Sequence, residues 1–296
     1  ASCLVGSEMC IRDRNKNQSL ISRHAKSFSW AGFFLSKETF RKCSVLYDFC
    51  RTIDDIADKD DPLDDKMNKF LKFKSEFKNK SLSNNIIKNI HIILEEEGIS
   101  HQVVNDLFDG IESDLKSEVN LKRKKDLLIY SYQVAGTVGL MMAKILKVKD
   151  PQSLRCAVDL GVAMQLTNIT RDIVEDKKRN RTYIKADFNS IRETIFLAEI
   201  FYRSSFPAIK NIPIISRFAI LVARRIYKRI GYEILSKKNL ENYNNAGKIY
   251  VSVLFKVVET FLSVFDFIKL FFINSNDQEI QNEHIMLHKE INLNER

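Results

Sequence analysis

Apolar residues recur three and four positions apart along most of the chain, in runs that glycine and proline seldom interrupt. That period predicts helices and leaves almost no alternating segment for strands. A first helix is predicted from a Ser36 cap, with Thr39 at the third position, to Asp58, where Asp60-Asp61-Pro62 stops it. Residues 64–98 read as two amphipathic helices closed by Gly98, and residues 101–118 as another. Glu95-Glu96-Glu97 is expected to be a solvated helix end, and Asp114 a surface ion pair in preference to a support for the site. In the segment 130–143, Ala135, Gly136, Gly139 and Ala143 fall three and four apart, which serves either close helix approach or space for a ligand. A long helix follows from Pro151 to Asp176, then helices at 190–209 and 214–236 with Pro207 and Pro213 between them. Residues 248–273 form a last, very apolar helix, read as a core helix or a partly membrane-facing one. Lys256, Glu259, Asp266 and Lys269 interrupt it, so a membrane span is not expected.

Composition sharpens this to an all-α, single-domain helical bundle over residues 15–273, since only 9 Gly and 4 Pro occur in 296 residues. The remaining polar tail, 274–296, is expected to fray; its His284 and His288 are four apart but lack a third ligand. Residues 1–14 are set aside, because Leu4–Asp13 corresponds in frame to codons resembling a sequencing-library adapter. The net charge of +9 calls for an anionic partner, either a diphosphate or an anionic membrane surface. No aromatic-interleaved basic stripe is present, so nucleic acid is not expected. The five cysteines show no paired spacing, which points to a reducing, cytoplasmic setting, at most peripheral to the inner membrane face.

Two acidic stretches concentrate the candidate chemistry. In Tyr47–Asp58, a helix places Tyr47, Arg51, Asp54 and Asp58 within one narrow arc. In Gln165–Asp176, it aligns Gln165, Asn168, Asp172 and Asp176 directly beside an apolar stripe of Val162, Leu166, Ile169 and Ile173. Carboxylates buried there need metal ions or cationic side chains beside them. Two such pairs, followed by the basic Lys177–Arg181 segment, suit magnesium and a diphosphate, with manganese as a substitute. Ser22–Trp30 mixes phosphate-binding groups with aromatics, and is either a cover for an anionic head group or a docked surface turn.

These stretches resemble the squalene/phytoene synthase family, and within it the bacterial phytoene synthases. The matching blocks are His24–Ser29, Tyr47–Asp58, Val134–Met142, Asp159–Asp176, Arg181–Tyr183 and Ala223–Gly231. The resemblance implies an isoprenoid synthase fold around a central cavity and head-to-head coupling of two prenyl diphosphates through a cyclopropylcarbinyl diphosphate. Geranylgeranyl diphosphate would give phytoene, for a downstream carotenoid desaturase; farnesyl diphosphate would give squalene or dehydrosqualene, and a non-catalytic, membrane-associated relative is the third alternative. NADPH is needed for squalene and not for phytoene. By position, Asp54, Asp58, Asn168, Asp172 and Asp176 would bind magnesium. His24, Lys26, Ser27, Tyr47, Arg51, Gln165, Asn168, Arg171 and Tyr227 would contact diphosphate or orient ligands, while Tyr132 and Tyr183 would neighbour the cation or phosphate. Tyr132 and Arg51 join the four aspartates as the implied catalytic set. Two departures are visible: a shortened segment after Tyr183, and the unusual apolarity of 248–273.

Overall fold

The computed structural model describes residues 30–275 and 277–291. His24, Lys26, Ser27 and residues 1–14 lie outside the described residues. The long runs free of helix breakers become long helices. The first, α1 (Lys37–Asp58), starts at Ser36, whose hydroxyl accepts from the Thr39 N–H at 3.2 Å. Then come α2 (Leu63–Lys78), α3 (Asn85–Glu96) and α4 (His101–Ser113), with Gly98 in the left-handed region at φ +60° as the stop between α3 and α4. Phe49, Phe70, Phe73, Phe77 and Phe108 interlock where α1, α2 and α4 meet, with ring centroids 5.4–6.4 Å apart, and anchor that half of the core.

The strand β1 (Val119–Asn120) pairs in parallel with β2 (Arg181–Thr182), the single ladder of the described residues. Between them lie α5 (Lys124–Ser131), a π-helical turn (Tyr132–Gly136), α6 (Thr137–Ile145) and the 28-residue α7 (Pro151–Lys178). Asp150 caps α7, accepting from the Ser153 N–H at 2.8 Å, and Pro151 occupies the first turn where no amide donor is needed. Then follow α8 (Phe188–Ser205), a 3₁₀ turn (Pro207–Asn211), α9 (Ile214–Leu235), α10 (Leu240–Asn245), α11 (Val253–Phe272) and α12 (Asn282–Glu290). The architecture is all-α, as the periodicity predicts.

Three expectations are corrected. Glu97 is no solvated helix end: its side chain is 1 % exposed and bridges Lys42 at 2.6 Å and Lys147. Within its described residues the tail is helical where fraying is expected: α12 buries His284 and Leu287 against the core, and His288 reaches Asp159 at 3.1 Å. Residues 248–273 do not form a core helix, since α11 turns most of its apolar side chains outward.

Candidate active site

Glycines fix how closely α7 meets the π turn and α6. A Cβ on Gly139 would stand 2.3 Å from the Ala157 carbonyl oxygen, and one on Gly161 would stand 2.3 Å from that of Ala135. Hydrogen alone fits at both positions. The two readings of the small-residue segment therefore hold together, because the same close approach lines a cavity of about 310 Å³. Its walls come from Leu46, Cys50, Val138, Gly139 and Met142 on one side and Ala157, Leu160, Gly161 and Met164 on the other. Along α7 the lining runs from Ser153 to Asn168, a rise of about 22 Å. Tyr47, Asp54, Gln165, Asn168 and Tyr227 gather at one end, and Leu146, Val148, Ile209 and Ile212 line the other. The cavity is thus a long apolar pocket with a polar mouth.

The two claws meet at that mouth. Arg181, placed by the β1–β2 ladder, reaches across to Asp58 with Nη1 2.8 Å from Oδ1, and donates through Nη2 to the Ala57 carbonyl. A residue just beyond the second claw thereby locks onto the first. Asp172 receives a bidentate pair from its neighbour Arg171 at 2.8 and 2.6 Å, and Lys248 lies 3.4 Å away. Asp54 and Asp176 have no such paired cation among the described residues. Burial, and then the Asp58 charge, push the Asp54 carboxyl up to about 7; burial and then Asp172 do the same to Asp176.

That shift has a stability consequence. A carboxyl whose folded pKa is about 7, against 3.8 unfolded, is stabilising below pH 4, and the contribution disappears as pH rises through 7. Asp54→Asn is therefore expected to stabilise the ligand-free protein at pH 8 by roughly 2–4 kcal/mol, with the advantage shrinking towards pH 4. Melting temperatures across that range test it; a variant no more stable than wild type at pH 8 would refute the destabilising charge at Asp54.

The other candidates divide. Tyr47 and Tyr227 line the mouth, with the Tyr47 phenol pushed up to about 12, chiefly by burial. Arg51 pairs with Asp55 at 2.6 Å, while its buried Nε has no hydrogen-bond partner among the described residues. Tyr132 stands away from the cavity wall, its hydroxyl donating to Asp106. Tyr183 and Tyr130 both donate to Asp114, at 2.6 and 2.8 Å, with their hydroxyl oxygens 2.9 Å apart, so Asp114 is a buried acceptor of two phenols and not a surface ion pair. Its burial follows the apolar face of Leu107, Phe108, Ile111 and Leu115, a signal present in the sequence. Lys248 had none: it comes to Asp172 from a distant loop.

No three His, Cys, Asp or Glu side chains among the described residues are arranged to hold an ion by themselves. The donors are two carboxylate pairs and the Asn168 Oδ1, which is buried without a hydrogen-bond partner among the described residues. A hard, oxygen-preferring cation that completes its shell with phosphate oxygens fits that set.

Residues 21–190 match the family model described as squalene/phytoene synthase. The 15-cis-phytoene synthase of Enterobacter agglomerans is 30% identical over 243 residues, covering 71% of this chain and 82% of that protein. That of Pantoea ananas is 28% identical over the same length, covering 71% and 78%. Among solved structures, a dehydrosqualene synthase in complex with a ligand superposes with a TM-score of 0.68 at 25% identity, covering 87% of this chain and 97% of that one. A squalene synthase from Alicyclobacillus acidocaldarius shares the fold, with a TM-score of 0.65 at 18% identity, covering 80% and 94%.

Proposed function

The chain belongs to the squalene/phytoene synthase family, is a prenyltransferase-type enzyme, and, we propose, joins two geranylgeranyl diphosphates head to head to give phytoene. The observation that carries this reading is the joining of a long apolar pocket to a mouth where both carboxylate claws and several cations meet.

In the first half-reaction the C1–oxygen bond of one substrate breaks, and its electron pair leaves with the diphosphate. Arg51, Arg171, Tyr47 and Tyr227 are the groups of the described chain that would hold that diphosphate. The double bond of the second substrate attacks the allylic cation, and loss of a proton closes a cyclopropylcarbinyl diphosphate. A second ionisation, rearrangement and proton loss complete the hydrocarbon. Leu46, Val138, Met142 and Leu160 keep water from the cation along the pocket. Asp54, Asp58, Asn168, Asp172 and Asp176 would hold magnesium, which as a Lewis acid neutralises charge on the departing diphosphate.

Dehydrosqualene or squalene formation from farnesyl diphosphate is the second reading, favoured by the likeness to the dehydrosqualene synthase structure. Chain length separates the two. Purified protein lacking residues 1–14, incubated with magnesium and each prenyl diphosphate in turn, is expected to form phytoene from geranylgeranyl diphosphate without NADPH. Product from farnesyl diphosphate alone would establish the second reading, and no head-to-head product from either would overturn both.

A further inference from the structure

The C-terminal helix is fastened to the protein by a buried carboxylate. Asp159, on α7, is 2 % exposed, and a carboxylate so buried is strongly disfavoured unless it is hydrogen-bonded. Its polar partners among the described residues come from two other helices. Ser204 of α8 donates to Oδ2 at 2.9 Å, and His288 of α12 donates through Nε2 to Oδ1 at 3.1 Å. His284 is 1 % exposed and lies against the Phe201 ring, with centroids 4.5 Å apart. Its Nδ1 accepts from the Gln281 N–H at 3.0 Å, so its ring proton belongs on Nε2, 3.7 Å from Asp159 Oδ2. Two ion pairs at the surface, Lys124–Glu283 at 3.2 Å and Lys125–Glu290 at 2.7 Å, tie the same helix to α5. Such pairs contribute little in solvent. The polar hold on α12 is therefore concentrated at Asp159.

That fastening lies directly behind the pocket. Cys156, Ala157, Leu160 and Gly161, on the same turns of α7 as Asp159, line the cavity. The tail touches this wall a second time, where Gln278 donates to the Cys156 sulfur, which itself donates to the Ser204 carbonyl at 3.6 Å. Without α12, the Asp159 carboxylate would keep only the Ser204 hydrogen bond. Either water would have to reach it or the turns that carry it would have to shift, because a buried acceptor left unpaired is destabilising. The blocks shared with the family end at Gly231, well short of this segment. We propose that residues 277–291 form a strap across the outer side of the pocket wall, with Asp159 and His288 as its clasp, and that the clasp positions the α7 turns against which the substrate's apolar chain lies. The effect on substrate rests on the prenyl-coupling reading; the strap itself does not.

Thiol labelling tests the strap without substrate, so its failure and failure of the coupling reaction are told apart. In the full-length wild type, Cys156 is expected to resist N-ethylmaleimide, because burial hides it and pushes its thiol up. His288→Ala is expected to speed Cys156 labelling, read by peptide mass spectrometry, at least about tenfold through local opening of the strap. Cys43, buried beside Met142 on the other side of the pocket, should stay protected. His288→Gln places an amide donor where Nε2 stands and should restore protection. In turnover assays His288→Ala should raise KM for the prenyl diphosphate about tenfold, the low end for one altered methylene contact in an apolar pocket. Its kcat should stay within about twofold of wild type, since the mouth is untouched. Should the alanine variant fail to fold, His288→Asn, whose amide is too short to reach Asp159, takes its place. Free labelling of wild-type Cys156, no acceleration in the variant, or release of Cys156 and Cys43 together would overturn the strap. An unchanged KM in an active variant would overturn the positioning role.

Discussion

Asp172→Ala is expected to lower turnover by at least about 10³-fold, the upper range for removing one preorganised electrostatic group, while far-UV circular dichroism stays that of the wild type. The carboxylate sits on the polar row of α7 beside Arg171 and Lys248 and is half-buried. Its removal would leave Arg171 without its bidentate partner while Lys248 keeps Glu175 at 2.5 Å, and would take one of the carboxylates proposed to hold magnesium. Asp172→Asn separates charge from shape, because the amide keeps an acceptor and the size of the side chain. Near-normal turnover in the Asn variant would show that the residue only positions Arg171, and would withdraw it from the proposed magnesium set. Activity is the readout, with thermal unfolding as the control.

The largest stability loss is expected from Gly161→Ala. The new methyl would lie 2.3 Å from the Ala135 carbonyl oxygen and 2.9 Å from the Gly136 Cα, both backbone atoms that cannot swing aside. Helices α7 and the π turn would have to part, costing about 3 kcal/mol, at the top of the usual overpacking range, and lowering Tm by about 6–12 °C. The same separation reshapes the pocket, so KM for the prenyl diphosphate should rise in whatever fraction remains folded. Gly231→Ala is the matched control: its methyl would meet only the Ile195 side chain, at 3.3 and 3.4 Å. That contact yields, and alanine favours helix by about 1 kcal/mol, so the control should be neutral or slightly stabilising. Equal losses at the two glycines would show that helix geometry as a whole, and not the backbone contact, sets the effect.

Much of this molecule was legible in the order of its residues. The spacing of apolar positions set the helices, Ser36 and Gly98 marked their ends, and two carboxylate rows at four-residue intervals marked the chemistry. Those features are local, and helical periodicity carries them without reference to any partner. The second row also declared its partial burial, since it adjoins an apolar stripe and does not oppose it.

What the sequence could not supply is which groups from distant segments neutralise one another. Arg181 reaches Asp58 only because a two-residue ladder between Val119 and Thr182 aims it there, and Lys248 reaches Asp172 only through the turn after α10. Asp114 and Glu97 looked like surface charges because an acid on an amphipathic helix is normally solvated. Their tyrosine and lysine partners arrive from other elements. The direction of α11 is the clearest case. Its stripe of Phe, Val, Ile and Leu was plain in the sequence, and periodicity alone favours turning such a stripe inward. The tertiary structure decided otherwise, because Arg225, Glu259, Asp266 and Trp30 satisfy the polar side of the helix against the protein and leave its apolar side facing out.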